Sequence, residues 1–83
     1  MSAKPILSLY YYNSCPFCVM VLRVLNDISV PVELRNTLEH PQYREELLMN
    51  GGKTQVPCLK IKTHSDSRWL YESLDIIDYL RSF

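Results

Sequence analysis

Asn13-Ser14-Cys15-Pro16-Phe17-Cys18 is the stretch from which the fold can be read. It follows an apolar run from Ile6 to Tyr12 and opens a segment, residues 16–28, whose apolar residues recur with helical spacing. Two thiols therefore sit in the turn between a strand and a helix, the setting in which Cys-x-x-Cys reads as a redox pair. Cys15 falls at or just before the first helical position, where backbone N–H groups have no partner within the helix. Those donors, with the positive end of the helix dipole, favour a thiolate over a thiol. Pro16 suits the first helical position because the N–H it lacks would have gone unused there. Cys18 follows one turn later, within reach of a disulfide to Cys15. Cys15 is accordingly expected to be the attacking nucleophile and Cys18 the resolving thiol. A zinc site is the competing reading of the pair. Zinc takes about four ligands, and only Cys58, His40 and His64 remain to complete a set.

Outward from this turn the chain alternates strand and helix. Ile6 to Tyr12 is rich in β-formers and nearly unbroken in apolarity, as in a central strand covered on both faces. Phe17, Met20, Val21, Val24, Leu25 and Ile28 form a stripe expected to face the core. Val19, Val21 and Val24 are mediocre helix formers, so packing must hold this helix. Residues 30–35 read as a second strand with Pro31 at its start. So short a strand–helix–strand unit implies a right-handed parallel crossover. After a loop over 36–40, Pro41 opens a second helix running to about residue 50. Tyr43, Leu47 and Leu48 point inward, and Gly51-Gly52 stand where a left-handed residue is wanted. Residues 58–62 and 68–71 read as two antiparallel strands joined by the turn cluster 63–67. A last helix is expected over about 73–81, with Ser73 as N-cap and Leu74, Ile76, Ile77, Leu80 and Phe83 on its buried face. The order is βαβαββα, an α/β fold with a four-stranded mixed sheet and helices on both faces.

Composition narrows the function. The 83 residues, 47% of them hydrophobic, suffice for one domain, 1–83, around one core. Nine basic residues balance nine acidic ones with no charge run, so neither nucleic acid nor an anionic membrane is an expected partner. The cysteine count is odd, and two of the three lie too close in the chain to staple a fold, which excludes a secreted disulfide scaffold. The N-terminal stretch fits neither a signal peptide nor a membrane span. A reducing cytoplasm is the expected location, and there a vicinal dithiol is catalytic rather than structural.

With these elements placed, the chain resembles the glutaredoxins, of the thioredoxin fold, over nearly its whole length. Cys15-Pro16-Phe17-Cys18 is similar to the family's Cys-Pro-Tyr-Cys site, with Phe for Tyr. Thr54-Gln55-Val56-Pro57 is similar to its Thr-Val-Pro segment, in which the proline is cis. Two positions depart. The segment from Leu70 to Leu80, with Glu72-Ser73, looks more like the N-terminal domain of glutathione transferases, where a Glu-Ser pair holds the γ-glutamyl end of glutathione. Tyr12 stands where many glutaredoxins carry Lys.

The resemblance implies a glutathione-dependent thiol–disulfide oxidoreductase. Glutathione would be its co-substrate and glutathionylated or disulfide-bonded proteins its partners, with no metal and as a monomer. It makes Cys15 and Cys18 catalytic. Tyr12, Phe17, Lys53, Gln55, Val56, Pro57, Glu72 and Ser73 become the glutathione-binding set. The Val56 backbone would pair with the cysteinyl unit as an added strand does. Ser73, at a helix N-terminus, would take the γ-glutamyl carboxylate and Glu72 the ammonium. Lys53 would take the glycine carboxylate, with Gln55 and Arg35 as neighbours. Tyr12 would touch the ligand and Phe17 would be a partly exposed lid. Structural roles stand beside these. Ser73 can simply cap its helix, an effect of about 1 kcal/mol; Lys53 can be a solvated loop residue, Phe17 core and Pro57 an ordinary trans proline. Cys58 reads as a small buried strand residue, with a regulatory thiol as the alternative. The rival functions are an iron–sulfur cluster carrier, against which Pro16 and Cys18 argue, and a small redoxin reduced by thioredoxin reductase. A transferase domain is a further rival, but the helical second domain that forms its electrophile site is not expected here.

Overall fold

A computed structural model of the chain describes residues 4–83. Strand β1 spans Ile6–Tyr11, helix α1 Pro16–Asp27 and strand β2 Val32–Asn36. Helix α2, Pro41–Glu46, continues as a π-helical turn, Leu47–Gly51. Strands β3, Cys58–Lys62, and β4, Ser67–Leu70, precede helix α3, Ser73–Arg81. The strands lie in the order β2-β1-β3-β4. The pair β1–β2 is parallel, as the short α1 crossover requires, and β1–β3 and β3–β4 are antiparallel. This is the thioredoxin arrangement the sequence suggested.

Side-chain alternation along each strand splits the core in two. Leu7 and Leu9 of β1, and Leu59 and Ile61 of β3, face Val21 of α1 and Ile76 and Leu80 of α3. The neighbouring positions face the other way. Tyr10 and Cys58 meet Leu47 there, with Tyr43, Val56, Trp69 and Tyr71 packed around them. Helices α1 and α3 thus cover one face, and α2 with its π turn covers the other. Leu47 has no exposed surface. Burying a leucine stabilises by about 1.5–3 kcal/mol, so this one residue supplies much of what holds the α2 segment down.

Several boundaries and faces differ from the sequence expectation. Along α1 the buried residues are Cys18, Val21 and Val24, while Phe17 is 58% and Met20 41% exposed. The helix is apolar on nearly every side, so periodicity alone cannot orient it; contact with the sheet and α3 rotates the buried face toward Cys18, Leu22 and Leu25. Leu48 and Leu74 are exposed rather than buried, and Phe83 is 42% exposed with its ring 5.9 Å from that of Tyr79. Helix α3 is capped by Glu72, not Ser73: the Glu72 carbonyl accepts the Ile76 N–H at 2.9 Å, and Ser73 is the first helical residue. Of the two glycines, Gly52 takes the left-handed conformation, φ 92°, and its N–H donates to the Leu48 carbonyl. Gly51 serves close packing instead. A methyl group there would run into the Tyr71 hydroxyl and come within 3.0 Å of the Trp69 ring.

Candidate active site

β1 ends at Tyr11, and the chain turns through Tyr12, Asn13 and Ser14 into α1. The turn is closed by the Cys15 N–H, which donates to the Tyr12 carbonyl at 3.3 Å. Cys15 has extended dihedrals and is the N-cap of α1, with Pro16 as first helical residue. Its Sγ accepts the Cys18 N–H at 3.4 Å, so the sulfur takes the place a serine or aspartate oxygen takes in other caps. One otherwise unpaired helix donor is thereby aimed at sulfur, and charge on that atom lies at the positive end of the helix dipole. Cys15 keeps 6% of its surface in contact with solvent, whereas Cys18 has none.

The thiols are thus unequal. Burial pushes the Cys18 thiol up to about 12; the Tyr12 backbone pulls the other way, and the Cys15 sulfur beside it adds to the rise. At neutral pH Cys18 is therefore a thiol. Cys58, also without exposed surface, is pushed up to about 12 by burial, with Tyr71 and Lys53 opposing. All three cysteines are free.

Beside the first turn of α1 lies a cavity of about 130 Å³ lined by Phe17, Gln55, Val56, Pro57, Tyr71, Glu72 and Ser73. Three separate stretches meet here: the start of α1, the segment before β3 and the start of α3. The Val56–Pro57 peptide is cis. Val56 precedes β3, and among the described residues its backbone has no backbone hydrogen-bond partner. The Ser73 N–H, at the first position of the nine-residue α3, faces no acceptor one turn back. The cavity therefore offers a strand-like edge, a helix N-terminus and a carboxylate within one small space. A larger hollow of about 470 Å³, bounded by Pro5, Ile6, Leu7, Pro31, Val32 and Glu33, lies at the opposite end of β1 and carries no thiol.

Similarity to known proteins follows the same outline. Residues 7–65 match the glutaredoxin family. The chain belongs to the glutaredoxin family. It is 32% identical over 74 residues to glutaredoxin 2 of Escherichia coli, a match covering 89% of this chain and 32% of that one. The chain thus spans about a third of the length of the curated relatives it matches. A solution structure of glutaredoxin from Brucella melitensis superposes with a TM-score of 0.57 at 16% identity, covering 96% of this chain and 83% of that one. Maleylacetoacetate isomerase from Anaeromyxobacter dehalogenans, with glutathione bound in its active site, superposes with a TM-score of 0.54 at 20% identity, covering 99% of this chain and 38% of that one. At these identities the two structures speak to the fold.

Six of the ten site residues expected from this glutaredoxin's sequence line the cavity: Phe17, Gln55, Val56, Pro57, Glu72 and Ser73. Cys15 and Cys18 do not line it; they stand on either side of Phe17, which does, at the start of α1. Tyr12 does not line it; the part Tyr12 plays is its carbonyl, which fixes the turn before Cys15. Lys53 does not line it either, but its Nζ lies 4.5 Å from the centre of the Tyr71 ring, which does. Arg35 is committed elsewhere. Its Nε bonds Glu33 at 2.7 Å, and its Nη1 reaches both Glu46 and, at 2.6 Å, the Tyr10 hydroxyl. Burial works against the Arg35 charge, but Glu33 and Tyr10 outweigh it and keep the guanidinium protonated. Burial, then the Glu46 hydrogen bond, likewise raises the Tyr10 hydroxyl above the usual tyrosine range. This network ties α2 to the sheet.

Sequence reasoning missed Tyr71. The sequence pattern makes it the last residue of a strand, but β4 ends at Leu70 and Tyr71 begins the connection to α3. The available signal was its position, an aromatic residue immediately before Glu72-Ser73.

Proposed function

We propose that this chain is a glutathione-dependent thiol–disulfide oxidoreductase acting on protein–glutathione mixed disulfides and on protein disulfides. The observation that carries the reading is the juxtaposition at α1. A cysteine sulfur accepts a helix N–H, next to a cavity whose walls hold an unpaired backbone edge, a helix N-terminus and Glu72. Those features complement a peptide backbone, a carboxylate and an ammonium, the groups that glutathione presents together. Membership of the glutaredoxin family, and a shared fold with an isomerase that holds glutathione, support the same ligand.

The exchange proceeds as follows. The Cys15 thiolate attacks the glutathione sulfur of a mixed disulfide. The bond to the substrate sulfur breaks, the substrate leaves as a thiolate and takes a proton, and Cys15 carries the glutathione. A second glutathione thiolate attacks that glutathione sulfur, releasing oxidised glutathione and regenerating the Cys15 thiolate. With an intramolecular protein disulfide, Cys15 first forms a mixed disulfide with the substrate. Cys18 then gives up its proton to the departing thiolate and attacks the Cys15 sulfur. The product is a reduced substrate and a Cys15–Cys18 disulfide, which two glutathiones reduce. Phe17 walls one side of the cavity, Val56 pairs with the cysteinyl unit, and Ser73 and Glu72 take the γ-glutamyl end.

The test is turnover of a glutathionylated peptide, coupled to glutathione reductase, beside reduction of a peptide with an internal disulfide. Cys15→Ser abolishes both. Cys18→Ser keeps the first and loses the second. Equal loss of both reactions in the two variants would refute the division of labour.

A further inference from the structure

Tyr71 gathers the segment that precedes β3. Its backbone carbonyl accepts the Gln55 side-chain amide at 3.3 Å, and its hydroxyl donates to the Lys53 carbonyl at 3.4 Å. The same hydroxyl faces the Cys58 thiol, which has no exposed surface. The ring is thus anchored at its far end, and it fits only because residue 51 has no side chain. Over that ring sits the Lys53 ammonium, 4.5 Å from its centre. Lys53 forms no ion pair among the described residues, unlike Arg35, which is held by two carboxylates. The ring lines the cavity, and an ammonium held over it without a counter-ion carries a positive charge one ring away from whatever occupies that cavity.

We propose that Tyr71 is a positioning residue. It seats the Lys53 ammonium at the edge of the cavity, and so sets a preference for a tripeptide thiol whose far end is a free carboxylate. The inference rests on the glutathione reading above. It adds that selectivity for the free glycine carboxylate depends on an aromatic ring that need not itself touch that carboxylate. A lysine on a flexible loop would lose several rotamers on meeting its ligand. The ring fixes the ammonium beforehand, and only an aromatic side chain at position 71 does this.

The experiment compares a peptide in mixed disulfide with glutathione against the same peptide in mixed disulfide with glutathione glycine ethyl ester, each reduced by glutathione. Release of the peptide thiol is followed directly by chromatography. The wild-type chain is expected to favour the free acid about five- to tenfold in kcat/KM, the scale of one partly solvated charge contact. Tyr71→Leu is expected to bring that preference close to unity, raising KM for the acid about five- to tenfold more than KM for the ester. Tyr71→Phe retains the ring and most of the preference. Lys53→Met loses the preference, and the Tyr71→Leu/Lys53→Met double variant loses no more than either alone. If Tyr71→Leu raises KM for acid and ester alike, the residue is only a wall and the proposal is overturned. A free-acid preference that survives in Lys53→Met overturns it too, whatever the fate of the Tyr71 variants. No turnover of either mixed disulfide by the wild-type chain overturns the glutathione reading itself, a result distinct from the other two.

Discussion

A brief exposure of the native chain to iodoacetamide at pH 7.5 should label Cys15 and spare Cys18 and Cys58. The two spared thiols are pushed up to about 12 by burial. At pH 7.5 each is ionised in only about three parts in 10⁵, against about one part in ten for a free cysteine. That is a loss of roughly 3.5 decades of thiolate. A more basic thiolate is also a better nucleophile, with a Brønsted slope of about 0.4–0.5, which returns about 1.6 decades. Ionisation alone therefore slows these two thiols about a hundredfold, and their lack of exposed surface slows them further. Cys15 keeps 6% of its surface exposed, where the other two keep none, and its sulfur accepts the Cys18 N–H. The assay is a labelling time course read by tandem mass spectrometry, which separates Cys15 from Cys18 within one peptide. Urea-unfolded protein serves as the control in which all three react alike. Labelling of Cys18 at a rate within tenfold of Cys15 in the native chain would refute the assignment of unequal thiols.

Alkali should weaken the fold through the same groups. The folded state keeps the protons of Cys18 and Cys58 up to about 12, while the unfolded chain loses them near 8.5, so their stabilisation is full below pH 8.5 and is lost as pH rises toward 12. Each thiol then costs about 1.5–2 kcal/mol between pH 8 and pH 10. Cys58→Ala should remove its share of that decline, as read by urea unfolding at the two pH values; an unchanged difference would count against the reading. Arg35→Ala should destabilise by about 1–2 kcal/mol, since Glu46 and the buried Tyr10 hydroxyl lose their shared partner. In the same variant KM for glutathione should hold within about twofold, and a tenfold rise would return Arg35 to the binding site.

The chemistry-bearing turn was readable because its determinants are local. A strand-like apolar run, a proline suited to a first helical position and two cysteines one turn apart lie within a dozen residues, and they place Cys15 at the cap it occupies. The six cavity residues were also legible, but through resemblance. They come from three stretches, and nothing in their spacing says that Phe17, Pro57 and Ser73 meet. Ser73 illustrates the limit. As a sequence feature it is a good cap, yet the backbone gives that position to Glu72 and leaves the Ser73 N–H at the mouth of the helix.

Sequence alone determined the element order, the cysteine pair and its setting, because helix caps, breakers and strand alternation act over a few residues. Tertiary structure alone decided which side of an almost wholly apolar α1 is buried, that Arg35 is spent on Glu33, Glu46 and Tyr10, and that Tyr71 stands over Gly51 with Lys53 on its ring. Each of those outcomes depends on groups far apart in the chain competing for one partner or one space. Such a competition is settled only once the sheet has brought β1, β2, β3 and the α3 connection side by side.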